Sequence, residues 1–395
     1  MMRYDVINVI QGDCMMVRPE DGCETDDRVI MVDLGSGTRD ITHCLQPNES
    51  AHIFLSNHDM AHAGGFRFFS LKGLKQVERL TIPFYQNEIS LIARALLGLK
   101  GMQYAEKSSE FIIELEQLVS NQMLFAGYSH EPHSFKIDYG YQDKHFYEHI
   151  RCLNPPVCVS VRDWLREMTG NEIDSLLQEL FVEDVVEAFT AYFRAKKSGK
   201  READSKLIRE LSLTIEDEDE YCEEIEYQKG NYVMDFIQEN LQALRLLNMS
   251  PKRKNVLNVY ERFLKVSQDV SLVLKFESED ASMLATGDAS DSVFYRLLGE
   301  GEDISASYLK VPYYGSKANM SKQILRKIAP EKAIISHNNR RFGNAKDACP
   351  SMKVLEMLME QNIEILATND VRKGGLYTPF IHKALGNIDN IITFR

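Results

Sequence analysis

The chain has 395 residues, 44% of them hydrophobic and 27% charged, which is the balance of a core-forming globular protein rather than a disordered one. A formal net charge of −13 excludes a surface given over to nucleic acid, because phosphate binding draws on dense Lys and Arg. Seven cysteines without a CxxC pair exclude a cysteine-built zinc site and suit a reducing compartment.

The opening MMRYDVINVI carries no long apolar run, and nowhere do 18 apolar residues follow one another. The expectation is a cytoplasmic chain with no membrane association. Short apolar runs at Tyr4–Ile10, Met15–Arg18 and Val29–Asp33 predict strands, with a turn at Asp21 and Gly22 between the last two. Asp33 enters a glycine turn at Gly35 and Gly37, and a helix is predicted over Arg39–Leu45. His52–Ser56 is the next strand, running into the polar stretch from Asn57 to Gly65, and Arg79–Tyr85 follows as another. Strands alternating with helices at this spacing predict an α/β fold.

From about residue 91 to 265 the pattern turns mostly helical. Leu176, Leu177, Leu180, Phe181, Val185, Val186 and Phe189 recur at helical spacing, as do Phe236, Ile237, Leu241 and Leu244. An acidic segment at 216–226 lies between them. A solvated face is its plain reading; a docking surface for a protein partner is the sharper one. His130, His133, His145 and His149 have metal-like spacing there, with no converging acidic or cysteine pattern. Strands return at Ser271–Glu277, Ser282–Ala285, Tyr308–Val311, Ala333–Ser336 and Ile363–Thr368. Helices are predicted at Ala289–Leu298, Ser321–Ile328 and Met352–Gln361.

Three strand ends lead into polar, glycine-containing turns, the usual place for a ligand in layered α/β folds. Their residues carry a resemblance. The run from Asn8 through Gly12 and Asp13, then Asp33 with its glycines, resembles the start of metallo-β-lactamase domains, and in particular the ComEC-like domains of DNA-uptake competence proteins. Leu55-Ser56-Asn57-His58-Asp59-Met60-Ala61-His62-Ala63-Gly64-Gly65 resembles their Leu-Ser-His-x-Asp-x-Asp-His-x-Gly-Gly motif. Thr286-Gly287-Asp288 is similar to their Thr-Gly-Asp, and Leu309-Lys310-Val311-Pro312-Tyr313-Tyr314-Gly315-Ser316 to their Leu-Lys-Val-Pro-His-His-Gly-Ser. Arg341-Phe342-Gly343-Asn344 and the turn after Thr368 complete the order.

The resemblance implies an αββα sandwich, its halves at 1–90 and 266–395, interrupted by the helical stretch at 91–265. It also implies a two-metal centre, and here the chain departs from the pattern. Asn57, Ala61, Tyr313, Tyr314 and Asn344 stand where the family has His or Asp ligands. Alanine offers no donor atom, and amides and phenols are poor zinc ligands. Asp59, His62 and Asp288 match as ligands, and a shifted register would add His58. The expectation is therefore no bound cofactor, with one Zn or Mn ion on His58, Asp59, His62 and Asp288 as the alternative. Lys317, Lys322, Arg340 and Arg341 form a local basic concentration that would suit phosphate or a nucleic-acid strand, or that is a rim paired with nearby carboxylates.

The functional expectation is a non-catalytic binding or scaffolding subunit, using the helical stretch and the acidic segment as partner surface, in a multi-gene system such as anti-phage defence. The alternatives are a one-metal phosphodiesterase or nuclease, and a nucleotide- or DNA-binding module without catalysis.

Overall fold

The computed structural model describes residues 2–10, 12–19, 28–57, 59–72, 74–83, 136–140, 142, 144–155, 265, 267–336, 349–368, 383–384 and 391–394. The chain divides into two compact units, one of residues 1–84, 120–157 and 267–395, the other of 85–119 and 158–266. Apart from residue 265, the described residues all belong to the first.

That unit is α/β and holds two mixed sheets. In the first sheet the described strands are β1 (Met2–Ile7), β2 (Cys14–Pro19), β3 (Arg28–Leu34), β4 (Ser50–Phe54), β5 (Val77–Pro83), β6 (Lys136–Gly140) and β15 (Ile391–Phe394), in the order β15-β1-β2-β3-β4-β5-β6. The second sheet contains β7 (Lys144–Tyr147), β8 (Ile150–Asn154), β9 (Val273–Glu277), β10 (Ser282–Ala285), β11 (Tyr308–Lys310), β12 (Lys332–Ile335), β13 (Glu364–Ala367) and β14 (Lys383–Ala384), in sequence order from one edge to the other. Both sheets change from antiparallel to parallel pairing midway: β3 with β4 starts the parallel run in one, β10 with β11 in the other.

Strand alternation sets the layers. In β3, Ile30 and Val32 point to a core shared with the second sheet, where Leu272, Leu274 and Phe276 meet them; Val29 and Met31 point the other way. Such strands are buried on both faces and read as continuous apolar runs. Helices cover the outer faces. Against the first sheet lie a 3-10 turn at Thr42–Cys44, α1 (Met60–Ala63) and α2 (Phe66–Leu71), contributing Ala63, Phe66 and Phe69. Against the second lie α3 (Asp291–Gly299), α4 (Lys322–Ile328) and α5 (Met352–Glu360). Their apolar residues recur at i, i+3 and i+4, as Val293, Phe294 and Leu297 do in α3. Ser321 caps α4 by accepting from the Ile324 N–H at 3.2 Å, and Ala329 ends it in a left-handed turn.

Two expectations change. The predicted helix over Arg39–Leu45 is a single 3-10 turn, because Asp40 takes the Thr42 N–H at 2.9 Å in a local turn that competes with helix. Within the stretch read as mostly helical, residues 136–154 form β6, β7 and β8. Their period-two signal is short: Ile150 and Cys152 face the shared core while Arg151 turns out to pair with Glu302 at 3.0 Å. Residues 84–135 and 156–264, with His130, His133 and the acidic segment 216–226, lie outside the described residues. His145 sits on β7 and His149 in the exposed turn after it.

Asn154 ends β8 where the chain leaves for the longer piece of the other unit. Its Nδ2 donates to the Asp269 and Ser271 carbonyls at 3.0 and 2.6 Å, and its Oδ1 accepts from Arg296 at 2.6 Å. The point of departure is thereby bonded to the point of return.

Candidate functional site

Strand ends from both sheets converge on one buried polar cluster. The turn after β1 delivers Asp13, the end of β3 Asp33, the loop after β4 the residues Ser56 to His62, the turn after β10 Asp288, and the end of β11 Lys310 and the two tyrosines. Backbone geometry forces this convergence at two glycines. Gly12 has φ +99°, and a Cβ there would run into the Ala61 carbonyl, which accepts the Asp13 N–H at 3.1 Å. Gly287 has φ +49°, and its Cβ would lie 2.5 Å from the hydroxyls of Ser56 and Ser271. Only glycine allows both the left-handed backbone and the close approach.

His62 is fully buried at the centre. Its Nδ1 lies 2.6 Å from Asp59 Oδ1; its Nε2 lies 3.3 Å from Asp288 Oδ1 and 3.9 Å from Asp13 Oδ2. Burial works against a charged imidazole, but the carboxylates of Asp288, Asp59 and Asp33 outweigh it and hold the His62 pKa well above its ordinary value. Burial also raises the Asp288 carboxyl, with His62 opposing. Asp33, in a left-handed conformation at φ +60°, accepts from Ser56 N at 2.7 Å and Ser56 Oγ at 2.6 Å. Burial nonetheless pushes its pKa up to about 7, against the pull of His62 and Ser56. Lys310 reaches Asp13 Oδ1 at 2.5 Å.

The structure brings Asp59, His62 and Asp288 together, one donor atom of each lying within 4.8 Å of the others, and groups Asp13, Asp33 and His62 in the same way. Asp33 accepts the Ser56 N–H and Asp59 the His62 N–H, while Asp288 Oδ1 faces His62 Nε2. Asn57 is buried and accepts from Ser267 Oγ at 3.3 Å. Tyr313 and Tyr314 both adopt left-handed backbone, at φ 44° and 54°. The Tyr314 ring is buried and stacks on His62, centroids 6.1 Å apart and planes 28° apart; burial drives its phenol pKa well above the ordinary value. Lys317 is exposed, and Lys322 pairs with Glu360 on α5 at 2.5 Å. His58, Arg340, Arg341 and Asn344 lie outside the described residues.

Asp13 and Lys310 lie within the resembling motifs but were not among the candidate site residues. For Lys310 there is a signal, a lysine between Leu309 and Val311 in an otherwise apolar strand. For Asp13 the signal is its place in the run from Asn8 through Gly12.

The donor set can be tested against metal. His62 Nε2 faces Asp288 Oδ1 at 3.3 Å, and Asp59, His62 and Asp288 form a group whose donor atoms lie close enough together for an ion. These residues fit one ion. They do not fit a pair, since Ala61 supplies no donor and the Tyr314 ring fills the space beside His62.

No helix among the described residues is long and apolar enough to cross a membrane. No protein-family model matches the chain. A stretch of 100 residues, 25% of this chain, is 32% identical to ComE operon protein 3 of Bacillus subtilis (strain 168) and covers 12% of that protein's length.

Proposed function

We propose that the chain is a degenerate metallo-β-lactamase-fold protein of the ComEC-like kind, working as a non-catalytic binding or scaffolding subunit. The αββα assignment is supported by two mixed sheets with helices on their outer faces, by the order of the motifs, and by the partial likeness to ComE operon protein 3. One observation carries the loss of two-metal chemistry: the buried Tyr314 ring stacked on His62, beside an alanine where a carboxylate would be needed. Partner surface is assigned to residues 91–265 and the acidic segment 216–226, in a cytoplasmic multi-protein system of the anti-phage type.

The test is a pull-down with the full chain and with a chain lacking residues 195–230. A partner retained by the first and lost by the second supports the proposal; equal retention removes the acidic segment from it. Hydrolysis of bis(p-nitrophenyl) phosphate with added Zn²⁺ or Mn²⁺, abolished by His62→Ala, would overturn the non-catalytic reading.

The grouping of Asp59, His62 and Asp288 favours a second reading, a one-metal phosphodiesterase. An ion there would supply positive charge to polarise a phosphoryl oxygen. Asp59, His62 and Asp288, with His58 in the shifted register, would hold it, and the Tyr314 ring would exclude water from that side.

A further inference from the structure

We infer that Ser271, backed by Asp269, is a positioning residue of the candidate site: its hydroxyl holds the turn that carries Asp288 against the loop that carries Asp59 and His62. The inference rests on the reading of that cluster as the functional site, and it needs neither a metal nor a partner. Both residues lie outside the resembling motifs.

The two halves of the site come from different sheets. Asp59 and His62 follow β4 of the first sheet, and Asp288 follows β10 of the second. Ser271 stands between them, fully buried just before β9. Its Oγ donates to the Ser56 carbonyl at 3.0 Å and accepts the Asp288 N–H at 3.0 Å. One hydroxyl thus uses its proton on one half and a lone pair on the other. The next residue repeats the link to the first half, the Leu272 N–H donating to the same Ser56 carbonyl at 2.8 Å. The contact between His62 Nε2 and Asp288 Oδ1, at 3.3 Å, spans the two halves and depends on this spacing.

The residues just before Ser271 make parallel contacts. On the first half, Ser267 Oγ donates to Asn57 Oδ1 at 3.3 Å. On the second, Asp269 Oδ1 accepts from the Ser290 hydroxyl and from the Ser292 hydroxyl at 2.8 Å, which fixes the start of α3 just after Asp288. Gln268 Oε1 accepts from Asn319 Nδ2 at 3.3 Å, and the same amide donates to the Asp288 carbonyl at 3.1 Å. Asn154 pins the segment from behind, through the Asp269 and Ser271 carbonyls. Ser56, Asp269, Ser271, Asp288 and Asn319 are each more than nine-tenths buried. A buried polar group that loses its partner stays unsatisfied, so these bonds resist being broken one at a time.

The experiment uses the full chain. Ser271→Ala removes the hydroxyl; Val273→Ala, two residues on and buried in the core under α3, is the control for stability alone. Native-state hydrogen exchange reads the Asp288 amide, and nitrogen NMR reads the His62 imidazole. Ser271→Ala should shift the His62 resonances and speed exchange at Asp288 about tenfold beyond any loss of global stability in urea, the scale of one buried hydrogen bond. Val273→Ala should leave the His62 resonances in place and speed Asp288 exchange no more than its own global loss does. In the unaltered chain, which needs no variant to fold, the Leu272 and Asp288 amides should show one common urea dependence, as a single opening. No excess exchange at Asp288 in Ser271→Ala, an equal excess in Val273→Ala, or separate openings of the two amides would each overturn the inference. None of these readouts depends on finding a partner or a hydrolysable substrate, so the positioning role and the proposed function can fail separately.

Discussion

Lys310 Nζ lies 2.5 Å from Asp13 Oδ1, in an ion pair whose members are both about 95% buried and come from different sheets. Removing one member leaves the other charged and uncompensated. Lys310→Met is expected to lower stability by about 3–5 kcal/mol, and adding Asp13→Asn should return at least half of that. Urea unfolding of the two variants, read as a coupling energy, checks it; independent, additive effects would show that the pair is not coupled.

Asp33 sets a pH dependence whose sign follows from its raised pKa. Its folded value of about 7 stands above the ordinary 3.8, so the native state holds this proton more tightly than the unfolded chain does. That contribution is complete below about pH 4 and is lost as pH rises through 7. Asp33→Asn, which cannot ionise, should therefore gain on the unaltered chain between pH 4 and 8, by up to a few kcal/mol. Denaturation midpoints across that range are the measurement; a constant difference between the two proteins would contradict the assignment.

At Gly12 the expectation is steric. Gly12→Ala must abandon φ +99° or displace the Ala61 carbonyl that accepts the Asp13 N–H. A loss of about 2–3 kcal/mol is expected, the scale of a strained left-handed residue. A melting temperature unchanged from that of the native chain would sink the argument.

Tyr314 fills space beside His62, and nothing smaller replaces its ring. Tyr314→Ala should cost about 3–5 kcal/mol, as other buried aromatic truncations do. A loss under about 1 kcal/mol would mean that the ring is not packed as described.

Much of the fold was legible in the chain. The run Val29–Val32 is apolar on both faces, which only a doubly covered strand requires. The strands of residues 136–154 were not legible, because four or five alternating residues beside long helical periodicity give a weak signal. In the site, Asp59, His62 and Asp288 stood out through their glycine-flanked turns. Asp13 stood in the run from Asn8, but its pairing with Lys310 did not show, because that partner is 297 residues away in sequence and no local pattern encodes the distance.

Asn154 has a consequence for how such a protein can change. Its side chain ties residue 154 to residues 269 and 271, so the intervening segment is closed at its base by bonds of the host sheet. Closing a longer loop adds free energy only with the logarithm of its length. Lineages could then lengthen, shorten or exchange that segment without redesigning the strands around His62, and the segment would diverge fastest while the clamp residues stayed put.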